Sequence, residues 1–142
     1  LEKSTEIGIN EITPIICEHS ERKVLKLERM NKILIAAMKQ SKQAYLPKLN
    51  AAVSFDSFVS NNTIEERYIA NCADNDKKKQ LKEVIKKGTD TLVLIGPEGD
   101  FSQKEIDYAM KHGFSSVSLS SNRLRTETAA IVSCNTINLI NQ

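Results

Sequence analysis

Short apolar runs alternate along the chain with segments in which apolar residues recur every three or four positions. Runs rich in β-branched side chains predict strands, and the spacing of three and four predicts amphipathic helices. The predicted strands cover residues 12–17, 48–53, 67–73, 91–95 and 116–119, and the predicted helices cover residues 27–42, 54–60, 77–87, 102–112 and 126–140. This alternation predicts an α/β fold with a mostly parallel sheet covered by helices.

Two of these segments carry additional local signals. Residues 91–95 are continuously apolar, as a strand covered on both faces must be, and we expect them to form the central strand. In segment 102–112, Ser102 and Glu105 have the spacing of a capping box at a helix N-terminus. Gly113 can adopt a left-handed backbone conformation without strain, so the same helix is expected to end there.

Length and composition limit the class of protein. The chain has 142 residues, 40% of them hydrophobic, which suits one core and predicts a single domain over residues 1–142. Its net charge of +2 lacks the positive excess of a dedicated nucleic-acid-binding domain. No apolar run approaches the roughly 18 residues of a membrane span, which predicts a soluble, cytoplasmic protein. Because the sequence opens at Leu1 without an initiator methionine, we expect the chain to be part of a longer protein.

The cysteines and histidines give weak signals. Three cysteines at widely separated positions form a poor disulfide framework and suit a reducing compartment. Cys17 and His19 could suggest a metal site, but no second ligand pair lies nearby at zinc spacing, so a buried thiol beside a surface histidine is favoured. His112 is favoured as a charge near a helix end rather than a catalytic base. We therefore predict no metal site.

Polar residues and glycines concentrate after the last two predicted strands, in segments 95–102 and 119–129. Open α/β sheets bind ligands beyond the carboxyl ends of their strands, so the two segments are expected to share one pocket. Gly96 and Gly99 permit close backbone approach or a positive φ, and Pro97 stiffens the turn between them. The first segment lacks the lysine of a P-loop and the third glycine of a dinucleotide fingerprint, which disfavours phosphate-centred cofactors. Taken alone, it is equally compatible with an ordinary strand-to-helix turn.

The second segment places four polar side chains, from Arg125 to Thr128, directly before an apolar helix. Thr126 could cap that helix and Glu127 could complement the helix dipole, which would be purely structural roles. A structural helix start needs only one cap. The concentration of polar groups therefore favours a functional site.

Four segments together resemble the ribosomal small-subunit RNA methyltransferase E family. They are Lys3-Ser4-Thr5-Glu6-Ile7-Gly8, the helix end Gln40-Ser41 with Pro47 beyond it, Ile95-Gly96-Pro97-Glu98-Gly99-Asp100-Phe101-Ser102, and Leu124-Arg125-Thr126-Glu127-Thr128-Ala129. They follow the family's order across essentially the whole chain, and the pairing of the last two is highly specific.

The resemblance implies a SPOUT-type α/β knot, in which the C-terminal segment threads through a loop and builds a site for S-adenosyl-L-methionine. It implies a homodimer that methylates N3 of a specific uridine in the 16S rRNA of the small ribosomal subunit. It also implies a PUA-like barrel domain that helps to bind RNA, which we expect to lie upstream of this chain.

Site residues follow from the same resemblance. The cofactor is expected to contact Leu94, Ile95, Gly96, Pro97, Glu98, Gly99, Leu119, Ser120, Leu124, Arg125, Thr126, Thr128 and Ala129. Arg125 is the candidate cation that stabilises the uridine anion, and Glu98 or Glu127 is the candidate base for the N3 proton. For Glu98 a structural role is favoured, in which its carboxylate holds the loop through backbone N–H groups.

Two positions depart from the family's pattern, because Asp100 and Ser120 stand where relatives usually have glycine. If the backbone at Ser120 requires a positive φ, the serine costs on the order of 1 kcal/mol and the affinity for the cofactor falls.

Two other functions are compatible with parts of the pattern. One is a SPOUT ribose 2′-O-methyltransferase, which shares the Gly-Pro-Glu-Gly turn, although the segment from Leu124 to Ala129 argues against it. The other is a catalytically silent domain that binds RNA or the ribosome and has lost the methyl-donor site.

Overall fold

The structure is a computed structural model that describes residues 1–73 and 78–142. The helices are α1 (Glu2–Ile7), α2 (Leu27–Gln40), α3 (Phe55–Asn61), α4 (Leu81–Val84), α5 (Gln103–Lys111) and α6 (Thr126–Asn141). The strands are β1 (Glu11–Ile12), β2 (Ile15–Ile16), β3 (Lys48–Leu49), β4 (Val53–Ser54), β5 (Glu66–Ala70), β6 (Thr91–Ile95) and β7 (Ser115–Val117). Every strand pairing is parallel, so the predicted α/β class with a parallel sheet is confirmed.

The main sheet has three strands in the order β6-β5-β7, and two short pairs, β1-β3 and β2-β4, accompany it. The prediction that residues 91–95 form the central strand is wrong for this sheet, because β5 lies between β6 and β7. Burial explains the order: Tyr68, Ile69 and Ala70 of β5 are all buried, whereas Leu94 is the one buried residue of β6. The long apolar run of β6 reflects contact with helices on its faces rather than a central position.

Both predicted strands in the first third of the chain are interrupted. Segment 12–17 is split into β1 and β2 by Thr13 and Pro14, since proline lacks the N–H that a continuous ladder requires. The segment that pairs with it, 48–53, is interrupted in the same way and forms β3 and β4. The Pro14 carbonyl still accepts a hydrogen bond from the Val53 N–H at 3.1 Å, which keeps the two halves in register.

The helix ends follow their capping residues. Ser102 and Glu105 form the predicted capping box of α5, and Gly113 has the predicted left-handed conformation with φ 88°. The predicted helix over 77–87 is reduced to α4, because Ile85 is extended and Gly88 has φ 81°. The part of that prediction at position 77 lies outside the described residues.

The core lies on both faces of the main sheet. On one face, Ile69 and Leu94 pack with Phe101 of the loop after β6 and with buried residues of α3 and α5, among them Phe55 and Ile106. On the other face, Tyr68, Ala70 and Val117 pack against Leu81 of α4. Helix α6 contacts β6, α4 and α1. Thr126, in its first turn, donates to the Gly96 carbonyl directly after β6, so this turn lies beside the carboxyl end of that strand. None of the helices that the structure describes has the length and apolarity to cross a bilayer.

Candidate functional site

A cavity of about 1020 Å³ opens at the carboxyl ends of β5 and β6 and beside the segment that leads from β7 into α6. Three stretches of chain line it: residues 70–73 with Lys78, the loop after β6, and residues 118–127 with Ala129. This is the edge where parallel sheets place their ligands. The two polar segments singled out in the sequence therefore face one shared space.

A hydrogen bond joins the two loops directly. The Thr126 hydroxyl donates to the Gly96 carbonyl at 2.9 Å across 30 residues of sequence. The sequence allowed Thr126 a purely structural role as the cap of α6, and the structure does not show that role. The N-cap residue is Arg125, whose side chain makes no capping hydrogen bond. The threonine instead fixes the start of α6 against the loop after β6.

Most of the predicted cofactor residues surround this cavity. Those that line it are Ile95, Gly96, Pro97, Glu98, Leu119, Ser120, Leu124, Arg125, Thr126 and Ala129. Three do not: Leu94 is buried beneath the loop, Gly99 faces away towards His19, and Thr128 is exposed on the first turn of α6. The cofactor contacts themselves stay a prediction.

The three candidate catalytic residues, Arg125, Glu98 and Glu127, all line the cavity and all are exposed. Among residues 1–73 and 78–142, none of their side chains takes part in a hydrogen bond or an ion pair. The favoured structural role of Glu98 is therefore wrong for this structure, because its carboxylate holds no backbone N–H group. The guanidinium and both carboxylates are available to a ligand.

Asp100 holds the loop instead. One of its carboxylate oxygens, Oδ1, accepts from the Phe101 N–H at 2.8 Å, and the other, Oδ2, accepts from the Cys72 N–H at 2.9 Å, which ties the loop to the end of β5. Asp100 has φ 62°, a left-handed conformation that aspartate tolerates better than most residues. The positive φ that the missing glycines implied thus falls at Asp100 and not at Ser120. Ser120 instead accepts from the Asn122 N–H at 3.1 Å, in a local turn.

Replacing Asp100 by alanine is expected to destabilise the fold by about 1–3 kcal/mol, because both backbone N–H groups lose their acceptor and alanine is strained at this φ. Urea denaturation of the variant against the parent protein measures the difference in the free energy of unfolding. Asp100→Asn is the matched control, since asparagine tolerates the conformation and retains one acceptor oxygen. A loss for asparagine as large as that for alanine would contradict this role of the backbone conformation.

The sequence did not predict one of the three stretches that line the cavity, the one that follows β5. Asn71 is buried there, and its side chain donates to the Ser116 hydroxyl at 2.8 Å. The Lys78 ammonium donates to the carbonyl and the side-chain oxygen of Asn71 at 2.8 and 2.9 Å. Partial burial, and then the Asp100 carboxylate, raise the pKa of the Cys72 thiol beside them. The available signal was a polar residue directly after the buried run 68–70, in the same position as the loop after β6.

The prediction of a buried Cys17 thiol beside an exposed His19 is confirmed. Cys17 is buried in the core, and burial followed by the nearby Glu105 carboxylate raises the pKa of its thiol to about 12. His19 is exposed, as predicted, but it contacts the loop after β6. His112 is the C-cap residue of α5, and its Nδ1 donates to the Tyr108 carbonyl at 2.8 Å. The structure shows no cluster of three metal-ligating side chains within the residues it describes.

A family model described as RNA methyltransferase domain matches residues 1–138 of this chain. The ribosomal RNA small subunit methyltransferase E of Mesomycoplasma hyopneumoniae (strain 232) is 30% identical over 136 residues, which cover 92% of this chain and 59% of that protein. A solved structure of a probable rRNA-methyltransferase from Porphyromonas gingivalis superimposes with a TM-score of 0.91 at 40% identity and covers 99% of this chain and 60% of that one.

A second solved structure, the ribosomal RNA small subunit methyltransferase E of Neisseria gonorrhoeae bound to S-adenosyl methionine, has a TM-score of 0.83 at 27% identity. It covers 99% of this chain and 59% of that one. The chain therefore spans about 60% of the length of each of these three proteins.

Proposed function

Because this chain belongs to the RNA methyltransferase domain family, we propose that it transfers a methyl group from S-adenosyl-L-methionine to N3 of a specific uridine in the 16S rRNA of the small ribosomal subunit. The names of its relatives support small-subunit rRNA as the substrate, and the gonococcal structure supports the cofactor. The observation that carries the proposal is the single cavity formed where Thr126 joins the two polar loops. The proposed place of action is the cytoplasm, where the small ribosomal subunits are the substrate.

The cavity fits the donor in size and chemistry. Its volume of about 1020 Å³ lies at the upper end of the range of small-molecule sites, roughly 300–1,000 Å³, and leaves room for a nucleobase beside the donor. Ile95, Leu119 and Leu124 offer apolar surface for an adenine ring. A Cβ on Gly96 would lie 3.2 Å from the Phe101 backbone nitrogen, so the loop is packed around a position without a side chain.

Among the described residues, the charges that line the cavity are balanced. They are three cationic side chains, Lys78, Arg123 and Arg125, and three anionic ones, Glu98, Asp100 and Glu127. Bound S-adenosyl-L-methionine supplies a methyl group on a sulfonium sulfur, whose positive charge disappears as the methyl group leaves. A strongly anionic lining would stabilise the charged ground state more than the transition state and slow the transfer. The balanced lining avoids that cost.

The residues of this chain then have to prepare the uridine. N3 carries a proton, and it becomes a nucleophile once Glu98 or Glu127 accepts that proton. The Arg125 guanidinium stabilises the negative charge that develops on the uracil ring as the proton leaves. The N3 electron pair forms the new C–N bond while the S–C bond breaks and its electrons stay on sulfur. Holding N3, the methyl carbon and sulfur in line is the task of the loop backbones, a positioning effect worth several kcal/mol.

We also propose that the active species is a homodimer that binds the RNA with the help of a PUA-like barrel domain outside this chain. Leu139, on the C-terminal helix α6, is 60% exposed, and a dimer contact through α6 would cover it. Sedimentation of the chain at several concentrations measures the association. A monomer at every concentration would contradict the dimer.

The proposed reaction is tested by offering labelled donor with assembled small subunits and, separately, naked 16S rRNA, followed by mapping of the modified nucleotide. The proposal predicts a single N3-methyluridine. A 2′-O-methylated ribose would contradict this proposal and would identify the protein as the alternative SPOUT ribose methyltransferase. No incorporation, together with no heat of donor binding, would replace it by a silent RNA- or ribosome-binding domain.

Donor binding is expected to protect Cys72 from alkylation, because this exposed thiol lines the cavity. At a donor concentration about ten times Kd, iodoacetamide labelling of Cys72 should slow about tenfold, as followed by mass spectrometry of its peptide. Cys134 provides an internal control, since it is half-buried on α6 and does not line the cavity. Equal slowing at both thiols would indicate general stabilisation and not occupation of the cavity.

A further inference from the structure

The His19 imidazole lies against the outer side of the loop after β6. Its Nδ1 is 3.1 Å from the Gly99 carbonyl oxygen and 3.0 Å from the Asp100 carbonyl oxygen. Carbonyl oxygens only accept hydrogen bonds, so Nδ1 carries a hydrogen and donates to both. One side chain from the first part of the chain thus fixes the orientation of two consecutive peptide groups 80 residues away.

Close packing accompanies these hydrogen bonds. A Cβ built on Gly99 would lie 2.9 Å from the His19 Cβ, closer than side chains pack, and 3.3 Å from its Cγ. Gly99 does not have a positive φ, so its lack of a side chain is required by this contact and not by its backbone conformation. The histidine and the glycine therefore form one matched contact.

His19 is itself held in place from both sides. The Cys17 N–H donates to the Ser20 hydroxyl at 2.9 Å, and the Ser20 N–H donates to the Cys17 carbonyl at 3.1 Å, which closes a turn around His19. The Glu18 N–H donates to the buried Glu105 carboxylate at 3.2 Å, in the first turn of α5. The turn that carries the imidazole is thus attached to the helix that directly follows the loop.

We infer that His19 is a positioning residue for the proposed methyl-donor site: it holds the Gly99 and Asp100 carbonyls on the outer side of the loop, so that residues 96–98 face the cavity in a preformed arrangement. The inference rests on the proposed function, since the benefit is a lower cost of ordering the loop when the donor binds. His19 does not line the cavity, so it acts through the loop.

Three variants test this inference with matched geometry. In His19→Asn, the side-chain amide nitrogen stands where Nδ1 stood, and in His19→Gln it stands where Nε2 stood; His19→Ala has neither. Calorimetry with S-adenosyl-L-methionine is expected to show Kd raised about fivefold to tenfold for alanine and glutamine, and close to the parent value for asparagine. Equal affinities in all four proteins, or asparagine as weak as alanine, would overturn the inference.

A readout without the donor separates this inference from the proposed function. The Asp100 N–H donates to the Pro97 carbonyl at 2.9 Å within the loop, so its hydrogen exchange reports loop order. Exchange should be about fivefold to tenfold faster in the alanine and glutamine variants and unchanged in asparagine. If the parent protein binds no donor, the proposed function fails while the exchange data still decide the role of His19. If alanine does not fold, the asparagine and glutamine pair carries the same comparison.

Discussion

Replacing Arg125 by alanine is expected to lower the rate of methyl transfer to the small ribosomal subunit by about 100-fold to 1000-fold, the usual cost of removing a group that stabilises developing negative charge. Arg125 lines the cavity, is exposed and forms no ion pair among the described residues, so its charge is free for the uracil ring. Its side chain makes no hydrogen bond among the described residues, so stability should stay near the parent value and donor binding should remain measurable. Single-turnover transfer from labelled donor, together with calorimetry, measures the two quantities separately.

Arg123 provides the matched control for this substitution. It lines the same cavity two residues away and is also exposed, but no catalytic role is assigned to it. Arg123→Ala is expected to reduce transfer much less than Arg125→Ala. Unchanged transfer in Arg125→Ala would remove Arg125 from the mechanism, and equal losses in both variants would reduce its role to general attraction of RNA.

Replacing Ile69 by alanine is expected to have the largest effect on stability, about 3–4 kcal/mol in the free energy of unfolding. Ile69 is fully buried in the central strand β5, where it packs with Leu94, Phe101 and Phe114. Both neighbouring strands hydrogen-bond to β5, so the resulting cavity cannot close without moving the whole sheet. Chemical denaturation followed by circular dichroism measures the loss.

Ile69→Val is the control, because it removes a single methylene from the same site. It should cost about 0.5–1.5 kcal/mol. If alanine cost no more than valine, the neighbours would be able to collapse into the space, and the description of β5 as the tightly packed centre of the fold would be wrong.

Sequence analysis located most closely the elements whose ends are marked by capping residues. The capping box and Gly113 located α5 closely, and the SPOUT-type α/β class is confirmed by the parallel sheet and by the solved structures that superimpose on it. The knot implied by the resemblance stays a prediction. The strand order was not accessible, because the apolar run of β6 looks the same whether β6 is central or lies at an edge under helices.

The site was predicted in part for a similar reason. Segments 95–102 and 119–129 carry clustered polar residues and were found, because their composition departs from that of ordinary turns. The contacts that hold those segments depend on long-range geometry: Asp100 reaches Cys72 across 28 residues, and His19 reaches Gly99 across 80. No local sequence pattern around Asp100 or His19 indicates these partners. The roles of the two residues could therefore be assigned only from the three-dimensional structure.

One methyl-donor site is proposed to lie between the loop after β6 and the start of α6. Titration of the ¹⁵N-labelled chain with S-adenosyl-L-methionine tests it residue by residue. We expect the amide signals that shift to cluster at residues 70–73, 95–100 and 118–129, with saturation at one donor per chain. Shifts confined to the second surface depression near Cys17 and Tyr108, or no shift at millimolar donor, would contradict it.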